Sequence, residues 1–383
     1  MLLSAASFAA SATIRIADPL LPQIAEDFST SVAAASVVAT TYALAYGAFQ
    51  LVHGPLGDRF GKIRVITIMT LCAGVTTGLA ALAGNLGTLL ALRLLSGACA
   101  AAIIPLSMAH IGDTVAYDRR QEVLARYLSG VVLGIIAGQA FGGILGDWIG
   151  WRGVFIALSG VYAVVIVLLR LRLRPTAPPA ASRPLTPSIL FGNVEELARR
   201  ASVRLVVGTV FLEGFLFYGT FTYVGAFLRN VYRLDYTTIG VLLGGFGLGA
   251  LAYTLLARVI VSRLGQSRMA LASGIVLAIA FLSFTVEMPV WALGLPIFLC
   301  GLGFYLIHNT LQTRATQMAP EARGLAVSVF ASCFFLGQSA GVTVAGQMVM
   351  AVGYRPLFVS AAVLLPALAL LFARRLRQAD DGK

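Results

Sequence analysis

The chain has 383 residues, 58% of them apolar and 11% charged, with a mean hydropathy of +0.88 and a formal net charge of +12. A bilayer-spanning helix takes about 20 mostly apolar residues, so the apolar side chains suffice for roughly eleven spans and exclude a soluble globular enzyme. In a soluble chain, 28 Lys and Arg against 16 Asp and Glu would raise nucleic-acid binding as a candidate, but here the positions of the basic residues give another reading.

Apolar runs of spanning length fall near 3–22, 32–52, 65–84, 87–109, 125–147, 152–171, 203–226, 237–259, 270–286, 291–312, 325–348 and 356–373. They predict an all-α membrane protein of twelve transmembrane helices, with short connections that make neighbours antiparallel. The stretch 170–204 differs: it holds Pro175, Pro178, Pro179, Pro184 and Pro187, then an amphipathic segment from Ile189 to Arg200, and reads as a linker. The expected organisation is an N-terminal six-helix bundle over 1–173, a cytoplasmic linker over 174–202 and a C-terminal six-helix bundle over 203–383. Loops on one side (59–64, 119–126, 170–204, 258–268, 314–323 and the tail 374–383) carry 22 of the 28 basic residues, and the other side carries Arg152, Arg229, Arg233 and Arg355. The positive-inside rule makes the rich side cytoplasmic, with both termini in the cytosol of a bacterial-type inner membrane. The high net charge is then a topology signal, and no nucleic-acid partner is expected.

Met1 opens directly into the first run, and Ala9-Ala10-Ser11-Ala12 superficially matches a signal-peptidase site. With no basic residue ahead of the run, and Arg15 and Asp18 closing it, a first transmembrane helix with a short or truncated cytosolic start fits better. Cys72, Cys99, Cys300 and Cys333 lie in apolar runs without CxxC spacing or His partners, so neither disulfides, metal sites nor cofactors are expected.

Polar residues inside the spans carry the functional signal. Span 1 places Ser4, Ser7, Ser11, Arg15 and Asp18 on one helical face. Arg15 and Asp18 either neutralise each other or meet substrate or proton in a central cavity. Span 2 adds Tyr42, Tyr46 and Gln50 at spacing 4. Arg93 lies well inside span 4, where a cation costs roughly 2.5–3.5 kcal/mol to insert and is therefore functional or paired. In span 7, Glu213 stands among Phe211, Phe215, Phe217, Tyr218, Phe221 and Tyr223 with no basic residue within one turn. It is the best single candidate for loading and releasing a proton, the alternative being a pairing with Arg93 or Arg15 that holds the halves together. Span 10 places Tyr305, His308, Asn309 and Gln312 on one face, and His308 titrates in the physiological range. Ser328, Ser332, Gln338 and Ser339 in span 11 complete the stripes expected to line a shared cavity. His110, Asp113 and Glu287 read as solvated span ends.

The chain also repeats itself. Gly150-Trp151-Arg152-Gly153-Val154-Phe155 matches Gly353-Tyr354-Arg355-Pro356-Leu357-Phe358 at an offset of 203, and Gly134, Gly138 and Gly143 fall on Gly337, Gly341 and Gly346. Arg59-Phe60-Gly61 meets Arg263-Leu264-Gly265 at 204, as Gly97 meets Gly301. Two parallel six-helix repeats describe one class of secondary transporters, with the substrate site between halves near the midplane.

The loop Gly54-Pro55-Leu56-Gly57-Asp58-Arg59-Phe60-Gly61-Lys62-Ile63-Arg64 resembles the Gly-x-Leu-Ala-Asp-Arg-x-Gly-Arg-Arg loop of the major facilitator superfamily, and the resemblance covers the whole chain. It implies the major facilitator fold, two pseudo-symmetric six-helix bundles, and a gating latch carried here by Asp58, Arg59 and Lys62 with Gly54 and Gly61; Ile63 stands where the family has a basic residue. Arg93-Leu-Leu-Ser-Gly97-Ala-Cys-Ala-Ala101 is similar to the Arg-x3-Gly-x3-Ala motif of the superfamily's proton-coupled drug antiporters, which implies a coupling role for Arg93. Gly134-Ile-Ile-Ala-Gly138-Gln139-Ala-Phe-Gly142-Gly143 resembles the antiporter signature Gly-x3-Gly-Pro-x2-Gly-Gly, with Gln139 in place of proline.

The expectation is a secondary active transporter moving a small organic molecule by alternating access, in the manner of drug:proton antiporters and sugar-efflux-like permeases. The proton-coupling candidates are Glu213, Asp18, Arg93, Arg15 and His308. Substrate-binding candidates are Tyr42, Tyr46, Gln50, Phe217, Tyr218, Phe221, Tyr305, His308, Asn309 and Gln312. Gln139 keeps open a proton symporter importing a small metabolite, and a transport-dead membrane sensor is the alternative of another class. No P-loop is present, and His53, His110 and His308, the three histidines, form no enzyme-like cluster. The partners expected are a small-molecule substrate, protons and the lipid bilayer, and the chain is expected to be a monomer.

Overall fold

Every regular element among the described residues is helical, which is what lipid demands of a backbone that closes no barrel, because each N–H and C=O must find its partner within the segment. The computed structural model describes residues 2–172, 195, 197, 199–319 and 323–381. The chain starts with α1 (Leu2–Arg15), a 3-10 turn (Asp18–Leu20) and α2 (Leu21–Asp27). Next come α3 (Val32–Phe60), α4 (Lys62–Ala80), α5 (Leu86–Ala100), α6 (Ile103–Thr114) and α7 (Tyr117–Arg172). In the second half α8 (Ala201–Glu213) runs through a π-helical turn (Gly214–Tyr218) into α9 (Gly219–Phe221) and α10 (Val224–Asn230). There follow α11 (Tyr236–Ser283), α12 (Gly294–Ala315), α13 (Arg323–Val352) and α14 (Tyr354–Asp381).

Among the described residues, nine helical stretches are long and apolar enough to cross a membrane, and the protein is an integral membrane protein. Two of the stretches, 126–171 with 46 residues and 236–283 with 48, exceed one crossing, since about 20 residues traverse the hydrocarbon core. Each doubles back at a glycine in the left-handed region, Gly150 (φ 69°) and Gly265 (φ 67°), where a side chain would strain the turn. The first expected span, 3–22, is divided between α1 and the turn at Asp18–Leu20. The linker prolines lie outside the described residues, and of the amphipathic segment only 195, 197, 199 and 200 are described.

The two largest apolar cores among the described residues divide between the halves. The larger draws its buried members from residues 197–376, the next from 6–169, and they touch through Leu51 and Ile135 on one side and Phe335 on the other. The halves meet along α3 with α13 and α7 with α11. Their cross-half hydrogen bonds run from the midplane toward the end that holds Tyr223: Ser332 to the Gly47 carbonyl (2.7 Å), Ser339 to the Thr40 carbonyl (3.1 Å), Ser36 with the Tyr223 hydroxyl (2.6 Å), and the Thr237 N–H to Asp147 (3.0 Å). The opposite end holds Lys62 with Asp58 and Asp113.

The glycines of span 5 set how closely helices approach. A Cβ on Gly138 would lie 2.9 Å from the Cα of Ala12, and one on Gly142 would lie 2.7 Å from the Ile16 carbonyl. Gly134, Gly138 and Gly142 therefore seat α7 on α1, while Gly143 faces Gly240 across the halves, a small-residue contact of the kind that drives helix packing in lipid. Gly138→Ala is expected to destabilise the protein by about 1–3 kcal/mol through overpacking. Gly160→Ala, where nothing lies within 4 Å, should be neutral or better, and thermal unfolding in detergent compares the two.

Asp235 caps α11 with both oxygens, accepting from the Thr238 N–H and hydroxyl at 2.7 Å each. These bonds, the backbone one first, hold its carboxyl below the usual carboxylate range. Its stabilisation is therefore complete above that range and is lost as pH falls through the lowered folded value. Asp235→Ala should cost about 1 kcal/mol near neutral pH, measured by the same unfolding assay.

Candidate functional site

Among the described residues, Arg15, Asp18, Arg93 and Glu213 lie buried in the apolar body, each in a different setting. In the C-terminal half Glu213 is 1% exposed, and its Oε2 lies 2.9 Å from Nδ1 of His308. The imidazole sits among rings: Phe304 stacks on it at 4.8 Å, with Phe334 at 4.9 Å and Phe330 at 5.6 Å. Glu213 Oε1 has no hydrogen-bond partner. The pair can share one proton and stay neutral, or take a second and become a cation, so its charge changes with proton content while its surroundings remain apolar.

Glu213 is the last residue of α8 before the π turn, a bulge type frequent at functional sites. The turn ends at Tyr218, and the guanidinium of Arg15 lies 3.5 Å over that ring. Arg15 also donates to Gln338 Oε1 at 3.1 Å and faces Asp18 at 3.6 Å. Thus α1, the π turn and α13 converge on one cation. Asp18 accepts no hydrogen bond, and Gln139, fully buried, has both amide atoms unpartnered.

Arg93 belongs to a different environment. It donates to the carbonyls of Thr13 (3.3 Å) and Val38 (3.5 Å) and lies 4.2 Å over the Tyr42 ring. No carboxylate is among these partners, so Arg93 ties α5 to α1 and α3 as a fixed cation. Gly97, one turn on, is pressed against the Tyr42 backbone, the close approach that lets the guanidinium reach across.

The other sequence candidates separate by place. Tyr305, His308 and Asn309 are half-buried and Gln312 is exposed, all along α12. Tyr42, Tyr46 and Gln50 are buried on α3, and the Tyr46 ring meets Phe335 of the other half at 4.6 Å. Phe217 and Phe221 stack on each other at 5.5 Å and pack on Phe246 inside the C-terminal core. The span 1 stripe also divides: Ser4 donates to the Tyr127 carbonyl and Ser7 shares a 2.6 Å bond with the Tyr127 hydroxyl, so these serines face α7, and only Arg15 and Asp18 reach the junction of the halves.

At the Lys62 end, the loop cluster closes within its own half. Lys62 Nζ lies 3.2 Å from Asp58 and 2.5 Å from Asp113, Arg59 and Asp58 are exposed, and Gly61 turns the chain at φ 87° while Gly54 has open space around it. Asp113, read from sequence as a solvated end, is thus Lys62's shortest ionic partner. The aromatic cage of His308 is only partly legible in the sequence, since Phe304 is four residues from it on the same helix, whereas Phe330 and Phe334 come from another.

The sequence profile described as Major Facilitator Superfamily matches residues 3–342 and 231–383. The chain is 25% identical over 350 residues to the MFS-type transporter YwfA of Bacillus subtilis, covering 91% of this chain and 84% of that one. It is 26% identical over 325 residues to a "Probable sugar efflux transporter" of Helicobacter pylori, covering 84% and 81%. Among solved structures, the nucleoside transporter NupG aligns with a TM-score of 0.78 at 14% identity, over 98% of both chains. A bacterial homologue of the lysosomal transporter Spinster aligns at 0.72 with 18% identity, over 97% and 95%.

The carbonyl contacts of Arg93 need a planar fork that lysine lacks. Arg93→Lys should lower unfolding stability by about 1–3 kcal/mol, and an unchanged melting temperature would refute this anchoring role.

Proposed function

The chain belongs to the Major Facilitator Superfamily and has that superfamily's fold, and from that premise we propose that it is a proton-coupled secondary transporter that exports a small organic molecule by alternating access. The observation that carries the proposal is the Glu213–His308 pair, buried at 2.9 Å contact within an aromatic cage. Coupling requires that the proton bind two conformations with different affinities. A pair that is neutral with one proton and cationic with two meets that requirement, because rocking the halves changes how much of it faces water.

Substrate would lie between the halves, against Tyr305, His308, Asn309 and Gln312 on one side and Tyr46 and Gln50 on the other. Those groups favour an uncharged or weakly cationic molecule with both hydrogen-bonding groups and an apolar face. The efflux name of the Helicobacter relatives supports outward transport. In this reading the Lys62 end is cytoplasmic, as the positive-inside rule argues, both termini are cytosolic, the membrane is a bacterial inner membrane, and the Tyr223 end is the closed external gate. Asp58, Arg59 and Lys62 would form the cytoplasmic latch when the halves rock the other way. The halves 1–173 and 203–383 would move as the two rigid bodies, joined by the linker 174–202, in a monomer.

Gln139, where the antiporter motif has proline, favours one second reading: a symporter that imports a small metabolite. Thermal-shift screening of purified protein against sugars, nucleosides and amphipathic weak bases supplies a substrate, and proteoliposome flux separates the readings. Proton movement opposite to substrate supports export by antiport, and movement in the same direction supports import. Glu213→Gln is expected to reduce proton-driven flux at least about tenfold, a loss of about 1.4 kcal/mol or more in coupling, while substrate exchange without a proton gradient persists. Full gradient dependence in Glu213→Gln would remove Glu213 from the coupling role.

A further inference from the structure

The contact between α1 and α7 is built a second time in the other half. A Cβ on Gly134 or Gly138 would meet the carbonyls of Phe8 and Ala12, and one on Gly337 or Gly341 would meet those of Phe211 and Phe215. Both helices of the pair therefore repeat at the same offset of 203. That offset places Arg15, Asp18 and Gln139 on Tyr218, Phe221 and Val342. The packing is made once with polar residues at these positions and once with aromatic and apolar ones, so the fold does not require the polar set. Arg15 also lies 3.5 Å over the ring of Tyr218, its own equivalent. Two positions related by a two-fold axis touch only where both lie beside that axis, so this contact marks the centre between the halves, where transporters with parallel repeats hold their substrates.

Gln139 and Asp18 face the same place. On α7, Gly138 and Gly142 lie against α1 while Ala140 and Gly143 lie against Gly240 of α11, so Gln139 points into the wedge between α1 and α11. Ile135, one turn before it, packs on the core of the other half. The turn Asp18–Leu20 occupies that wedge, touching α7, α10 and α11. Gln139 is 0% exposed and Asp18 3%. Among the described residues, both amide atoms of Gln139, both carboxylate oxygens of Asp18 and Nη1 of Arg15 have no hydrogen-bond partner. Polar groups are costly to bury unpaired, and three side chains that share this property beside the axis are built to meet a ligand.

We propose, resting on the transporter reading above, that Gln139 and Asp18 form the subsite that binds neighbouring hydroxyls of an uncharged polyol or sugar, with Gln139 setting the specificity. Charge decides the class first. Arg15 and Asp18 face each other at 3.6 Å, so a cationic or an anionic solute would be attracted by one and repelled by the other. Hydrogen-bonding capacity decides the rest. An ionised carboxylate only accepts, a guanidinium only donates, and an amide does both. A hydroxyl also does both, and two on adjacent carbons can bridge the carboxylate and the amide together, whereas an apolar group would leave the set unmet.

The test uses the full chain, in detergent for equilibrium binding and in proteoliposomes for counterflow, which needs no proton gradient. The probes are D-glucose, D-xylose and sorbitol, with monodeoxy analogues of the two sugars. The wild type should bind at least one sugar saturably, and at least one of its monodeoxy analogues about tenfold or more weakly. Gln139→Val installs the residue that the other repeat buries at Val342, and should leave the unfolding temperature unchanged or raised. It should bind the parent sugar about tenfold more weakly and no longer distinguish it from that analogue, a loss of discrimination that a merely structural role would not produce. Gln139→Met, unbranched and of similar length, should behave in the same way. Absence of saturable binding to every hydroxylated probe in the wild type, or undiminished discrimination in both variants, overturns the proposal. Sugar binding without counterflow supports the subsite and defeats the transporter reading, whereas counterflow of another solute class without sugar binding defeats the subsite alone.

Discussion

A charge inside hydrocarbon must be paired or solvated, and the contact between Glu213 and His308 is where this constraint is met most economically. The pair resides in the C-terminal core, closed in by Phe304, Phe330 and Phe334, so its net charge is governed by proton count alone. One proton between the two groups leaves the pair neutral whichever of them carries it. Only the gain of a second proton or the loss of the shared one produces a bare charge there. Because Glu213 is also the last residue before the π turn, one turn of backbone separates it from Tyr218, on which Arg15 of the other half rests. The titratable pair and the junction between halves are thus built on the same five-residue irregularity.

Within the N-terminal half, Arg93 is held without a carboxylate among its contacts. Arg93 and Gly97 are four residues apart on α5, and so are Val38 and Tyr42 on α3. Gly97 brings the helices close at Tyr42, and Arg93 reaches the Val38 carbonyl one turn away. In the second half Gly301 makes the equivalent close approach to Phe246, but Ile297 stands where Arg93 would be. The duplicated backbone contact therefore does not require the cation, and the arginine is an addition specific to one repeat. The two halves share their packing and differ in their charges, and these differences are the places where the function would diverge from symmetry.

Helix positions, turning glycines and the repeat were legible in the sequence because lipid imposes long apolar runs and leaves few residues free to make sharp turns. The Gly134, Gly138 and Gly142 run was readable as a packing face, and α1 is the helix that fills it. Less was legible about direction. The serines of span 1 form a single stripe on paper, yet Ser4 and Ser7 are consumed by Tyr127, and a polar stripe satisfied by a neighbouring helix has the same spacing as one facing a cavity. Phe217 and Phe221 likewise could not be told from cavity-lining aromatics, since the distinction depends on Phe246 and Phe281 brought in from α11. The π turn left no trace in residue spacing, although it moves the ring of Tyr218 relative to Glu213 by a full extra residue.

The contacts that join the halves are of a strength that a transport cycle can reverse. Beside helix packing, the polar contacts comprise hydroxyl-to-carbonyl bonds such as those of Ser332 and Ser339, together with the Ser36–Tyr223 hydroxyl pair and the amide of Gln338 on Arg15. Neutral hydrogen bonds contribute about 0.5–1.5 kcal/mol each in net terms, and those to a charged group somewhat more. The described set thus amounts to a few kcal/mol, and moving one proton charge through a potential of 100 mV supplies about 2.3 kcal/mol. The opening of such a seal and the movement of one or two protons are therefore commensurate. Each ion pair between the halves left broken in a desolvated state would add about 3–5 kcal/mol. A junction of serines, tyrosines and glycine-backed carbonyls, with an arginine whose partners in the other half are an amide and an aromatic ring, keeps the alternative conformation within reach.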